Sequence, residues 1–151
     1  MKLIKLLPAQ IMEYWEYIRE CIAEALPPFV EDNSSSFLVI QEQLLIGSMQ
    51  CWFITHDTVP SIIYAVVTTR TVIDDSTFTK NLLLFSVTST EDHPVGMWEE
   101  AYSKFKLYAK SQYCNKIIAF SDNELVIRLA KSLGADINWR LIQFPVAKEI
   151  L

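Results

Sequence analysis

Glycine is scarce in this sequence, with three in 151 residues: Gly47, Gly96 and Gly134. Each therefore marks a place where the backbone has a reason to be unusual. Histidine is scarcer, with only His56 and His93, and neither is spaced with a cysteine as a ligand pair, so no metal site is expected. The three cysteines, Cys21, Cys51 and Cys114, are odd in number and form no CxxC pair. They read as reduced, mostly buried small hydrophobes of a cytoplasmic protein. No cluster of lysine and arginine occurs, and 13 basic against 18 acidic residues leave a formal charge of -5. That balance argues against nucleic acid as a partner. No apolar run approaches the roughly 20 residues of a membrane span, the longest being of the kind LLLF at 82–85. The opening MKLIKLLPAQ is cut off by Pro8 and Gln10 and reads as no secretory signal.

What the chain has is apolar material. Half of it is hydrophobic and 12% is aromatic, enough to fill the core of one domain spanning residues 1–151. A short strand is expected over Lys2–Leu6. From Pro8 the apolar residues Ile11, Tyr14, Trp15, Ile18, Ile22 and Ala25 recur at helical steps until Pro27 and Pro28 end the helix. EDNSSS at 31–36 offers several N-cap residues, and a second helix is expected from Phe37 to Ile46, stopping at Gly47. The period then changes. Gln50–Thr55, Ile62–Val72 and Asn81–Thr88 are β-branched and aromatic runs with short polar connections, which predicts an antiparallel meander. NLLLFSVT is apolar almost throughout, as a central strand buried on both faces would be.

After the meander a helix is expected over Met97–Ser111, then the strand Lys116–Ser121. A helical connection of that length implies a parallel pair with a right-handed crossover. A further helix from Asn123 to Leu133, closed by Gly134, and a last strand Trp139–Val146 complete the order β-α-α-β-β-β-α-β-α-β. The class is a mixed α/β fold, not a doubly wound parallel sheet.

The second half resembles the Gcn5-related N-acetyltransferase (GNAT) superfamily. The resemblance rests on AYSKFKLYAKSQYCNKIIAFSDNELVIRLAKSLGAD: Ala109-Lys110, Tyr113-Cys114, the strand from Lys116, the helix begun by Asn123, and Leu133-Gly134. It covers roughly 82–146. It implies a GNAT-like fold that binds acetyl-CoA or CoA at a V-shaped gap between parallel fourth and fifth strands. The cofactor-binding set implied is Val87, Ser89, His93, Gly96, Met97, Trp98 and Asn123, most of it in the junction HPVGMWEEAYSKF. There the family pattern is Arg or Gln, two residues, Gly, one residue, then Gly or Ala. These positions hold His93, Gly96 and Trp98, so only the glycine matches. Histidine lacks arginine's permanent charge and fork. An indole at 98 would obstruct a close approach of backbone to phosphate, and Glu99 and Glu100 would compete for the helix N–H groups. Equally, Gly96 reads as a turn glycine, Trp98 as a core anchor and Asn123 as an N-cap.

Many members carry a tyrosine four residues before the position of Gly134, as acid for the leaving thiolate. Here it is Ala130, which donates nothing. Tyr102, Tyr108 and Tyr113 are substitutes by chemistry, and His56, Asp57, Glu91 and Asp92 at strand ends are candidate bases. None is singled out, so the catalytic residues stay unknown. The N-terminal runs EYWEYI, LLIGSMQCWFIT and IIYAVVTTRT are similar to small GNAT-like proteins of tailed bacteriophages. That resemblance implies a protein with an eroded cofactor loop, non-catalytic, working by binding or assembly through protein partners or self-association, in a virion or host cytoplasm. The alternative is an active N-acetyltransferase acting on a small amine or a protein amine.

Overall fold

The computed structural model describes residues 1–90 and 92–146. It falls into two compact units, 1–119 and 120–151. The larger is built on a sheet whose first strand, β1 (Lys2–Lys5), pairs antiparallel with β2 (Met49–Thr55). β2 pairs with β3 (Ile63–Asp74), and β3 with β4 (Thr79–Ser89), both antiparallel. β5 (Lys116–Ala119) joins β4 in parallel, so strand order in the sheet follows chain order. The meander and the parallel crossover are as the sequence predicts.

Alternation along the strands feeds two cores. Cys51, Phe53, Val66, Leu83 and Phe85 pack with helix residues Ile11, Ile18, Ile22, Phe37 and Leu44. Trp52, Ile54, Ala65 and Val67 pack with Met97, Ala101 and Phe105. The helices on the first face are α1 (Pro8–Glu13), α2 (Trp15–Glu24) and α3 (Ser34–Ile46); the second face is covered by α4 (Met97–Ser111). Buried on both sides, β4 behaves as its apolar run indicates.

Two elements depart from the expected order. The first helix is divided at Tyr14, whose φ of -100° and ψ of 12° leave the helical region. No proline or glycine marks this break. Tyr14 and Tyr17 both set their edges against the Phe53 ring, at centroid distances of 5.4 and 6.1 Å, and edge contacts of this kind favour the geometry that makes them. The last strand expected, Trp139–Val146, is not formed. Its alternation changes phase between Leu141 and Ile142, and Pro145 brings no N–H to a ladder. Trp139 is 85% exposed, and Ile142, Phe144 and Val146 are exposed with it. The described part of the smaller unit is thus α5 (Glu124–Ser132) and an irregular run after it. The tail AKEIL lies outside the described residues. α3 also begins three residues earlier than expected, because Asn33 takes the cap and accepts from Ser36 N at 2.9 Å.

α4 ends in a Schellman motif: Cys114 N donates to Ala109 O at 2.9 Å and Tyr113 N to Lys110 O at 3.1 Å. The left-handed position is Tyr113, with φ of 60° and a side chain 83% exposed. An L side chain costs about 1–2 kcal/mol there. Tyr113→Gly is therefore expected to raise stability by about 1 kcal/mol, read as a higher denaturant midpoint with unchanged slope. Among the described residues no helix is long and apolar enough to cross a membrane.

Candidate functional site

The place where β4 and β5 part company has a specific geometry. Their pairing runs from Asn81↔Lys116 to Leu84↔Ala119 and stops, while β4 continues to Ser89. Beyond Leu84 the edge of β4 on that side has no partner among the described residues. The β3–β4 register also slips here. Thr68 faces Ser86 and Thr69 faces Leu84, which leaves Phe85 as the extra residue of a bulge. Bulges re-aim side chains and recur beside active sites. The sequence hid this one because LLLF is apolar without alternation. Val87 and Ser89 lie on the unpaired stretch and are exposed.

From Ser89 the chain turns through the junction singled out above into α4. Gly96 is the N-cap, left-handed with φ of 82°, and contributes no side-chain cap. Met97 is buried in the second core, and its N–H is given to Pro94 O at 3.2 Å. The next two backbone donors, of Trp98 and Glu99, make no hydrogen bond among the described residues. Such groups at a helix start carry partial positive charge and suit an anion.

Trp98 decides whether they can be reached. It is half-buried and packs against the core of Trp52, Met97 and Phe105, with its ring centroid 6.3 Å from that of His93. A Cβ built on Gly96 would meet nothing within 4 Å. The indole therefore anchors the helix and leaves the space over Gly96 open. The acids do not close it either: no side chain caps the helix, and Glu100 is drawn along it to Lys104 at 3.5 Å. His93 stays within the loop, with Nδ1 3.3 Å from Pro94 O. Asn123, in the smaller unit, is the N-cap of α5, its Oδ1 accepting from Leu125 N at 2.9 Å and Val126 N at 3.4 Å.

The candidates for proton transfer are dispersed. His56 Nδ1 accepts from Thr58 N and Val59 N at 3.1 and 3.2 Å, which spends it on its own turn. Asp57 pairs with the chain's amino group, whose hydrogen bond holds the carboxyl below the usual range. Such a carboxylate is a poorer base. Glu91 lies outside the described residues, and Asp92 is exposed. Tyr108 is half-buried against Trp52 at 4.8 Å, and burial raises its phenol. Tyr102 is half-buried and Tyr113 exposed. Burial pushes the Cys51 thiol up to about 12, so it serves as no nucleophile. Among the described residues no group of three histidines, cysteines or acids stands together as a metal site.

No protein-family model matches the chain, and no curated protein matches its sequence. Solved structures do. A probable acetyltransferase superposes at a TM-score of 0.72 with 11% identity, covering 99% of this chain and 100% of that one. The aminoglycoside acetyltransferase AAC(6')-Iy, in complex with a CoA-linked bisubstrate analogue, gives 0.71 at 12% identity over 97% of each chain. A ribosomal-protein-alanine N-acetyltransferase from Brucella melitensis gives 0.65 at 13%, covering 95% of this chain and 100% of its own. The chain therefore has the GNAT acetyltransferase fold.

Proposed function

We propose that this GNAT-fold chain binds acetyl-CoA between the free edge of β4 and the start of α4, and passes the acetyl group to a small amine. The observation that carries the reading is the open helix terminus: two N–H groups unpaired among the described residues, beside a left-handed glycine whose Cβ position is empty. The residues present fit the cofactor. The backbone at Gly96, Trp98 and Glu99 suits its pyrophosphate, and the edge that β4 turns away from β3 between Phe85 and Ser89, beyond its pairing with β5, suits the amides of its pantetheine arm, as a sheet edge suits any extended amide chain. Bound there, the cofactor supplies a thioester: the amine nitrogen forms the new C–N bond, the C–S bond breaks, and the amine's surplus proton ends on the thiolate or in solvent.

The chain's own contribution is then orientation. A fixed strand edge and helix terminus hold one reactant in line, and well-oriented reactants gain about 7–11 kcal/mol over encounter in solution. With alanine at 130, proton transfer to the thiolate has no side-chain donor at that position, so slow turnover is expected. Release of thiol from acetyl-CoA, followed with a panel of small amines, tests the reading. Amine-dependent release that Gly96→Asp abolishes supports it; amine-independent release alone overturns it.

A second reading keeps binding and drops catalysis, the chain working by assembly with a protein partner or a second copy, for example in a virion. Ala130 and the exposed apolar run from Trp139 to Val146 favour it, since such runs seek cover.

A further inference from the structure

On the helical face opposite α4, a cavity of about 520 Å³ opens between the start of α3 and the sheet. This is within the range of small-molecule sites. Its apolar surface comes from Phe29, Val39, Met49 and Phe85, among others. Arg70 carries the one positive charge among its lining side chains and Glu31 the one negative. Arg70 is half-buried, and its Nε is shielded from solvent with no hydrogen-bond partner among the described residues. Its guanidinium lies 5.9 Å from the Phe85 ring centroid. A ring face holds a cation in place but fills none of its five N–H directions. No carboxylate of the chain forms a salt bridge with it among the described residues. A permanent charge brought to a cavity wall and left without an anion is costly, and a carboxylate from outside, taken in the fork, offsets that cost.

The cavity's position adds to this. Phe85 is both its wall and the bulged residue where β4 leaves β5. The cavity thus meets the sheet at the beginning of the edge proposed for the cofactor arm. We propose that it binds a small carboxylate-bearing molecule with an apolar body, Arg70 holding the carboxylate and Phe29, Met49 and Phe85 the body. Its use as the acceptor pocket, for an amine that also carries a carboxylate, rests on the acetyl-transfer reading; the binding itself does not.

Calorimetric titration without any CoA separates the two. L-phenylalanine and 3-phenylpropionate are each compared with L-phenylalaninamide, which has the same body and no carboxylate. Both carboxylates are expected to bind at least tenfold more tightly than the amide. Arg70→Gln should remove that preference. Val39→Trp, which leaves the arginine in place and fills the cavity, should abolish binding of both carboxylates, with both variants still unfolding cooperatively. Equal binding of amide and carboxylates overturns the proposal, as does failure of both carboxylates to bind the unaltered protein at 20-fold millimolar excess. So does unchanged carboxylate affinity in either variant, or loss of cooperative unfolding in both. If the carboxylates bind by Arg70 and CoA does not bind at all, this inference stands and the acetyl-transfer reading fails.

Discussion

Millimolar acetyl-CoA or CoA is expected to raise the unfolding temperature of this protein by about 5–10 °C. Free ligand at 100 times its Kd stabilises the native state by about 2.7 kcal/mol, and a chain of this size gains about 2–4 °C per kcal/mol. The sharper half of the experiment is Gly96→Asp. Aspartate tolerates the left-handed backbone better than most residues, so the φ of 82° at this position is kept at modest cost. Its carboxylate then sits beside the open N–H groups of α4, where a phosphate would go. The shift should vanish in this variant while stability without ligand changes by about 1 kcal/mol or less. A shift that survives Gly96→Asp would place the ligand elsewhere. No shift in the unaltered protein, with either ligand, would sink cofactor binding.

The second large effect belongs to the core beneath that site. Trp52 lies on β2 with its ring edge-on to Phe105 at 5.3 Å and to Tyr108 at 4.8 Å, both on α4. Its Nε1 donates to Thr69 Oγ1 at 2.9 Å, and Thr69 Oγ1 donates to Gln50 Oε1 at 2.9 Å. Trp52→Ala removes a buried indole, two aromatic contacts and one hydrogen bond. A loss of about 4 kcal/mol is expected, a large part of the 5–15 kcal/mol typical of a domain. Trp52→Phe keeps much of the volume and should lose about 1–2 kcal/mol, mostly for the unmade hydrogen bond in a buried site. Both are read from the urea midpoint. A loss under 1 kcal/mol for Trp52→Ala would mean that α4 is not held by this cluster.

The elements with a strong period were legible. α4 has the bounds its stripe of Met97, Ala101, Phe105 and Tyr108 indicates, and β4 is as buried as its sequence is apolar. Features set by tertiary contact were not. The break at Tyr14 comes from rings meeting Phe53, some forty residues away. The bulge at Phe85 leaves no mark in an unbroken apolar run. The run from Trp139 reads as a strand by composition, but a phase change and Pro145 leave it without a ladder.

At the candidate site, the sequence marked Gly96 as the start of a helix, which it is. It could not give the direction of Trp98, because an indole two residues past a helix start suits the core and the ligand face alike. The core took it. Arg70 escaped notice altogether, since one arginine in a β-branched strand has no signal until the cavity beside it is seen.

The N-caps of α3, α4 and α5 also differ in what they are suited to. Asn33 and Asn123 use their side chains to satisfy the helices they begin, whereas Gly96 has no side chain to do so and holds a conformation that restricts replacement. An asparagine or serine cap is worth up to about 1 kcal/mol over a residue without one, and a few tenths over glycine. At position 96 those few tenths are outweighed by the left-handed backbone, with its φ of 82°, so the turn itself favours glycine. A search for more heat-resistant variants would therefore find its gains elsewhere in the chain and leave this residue alone.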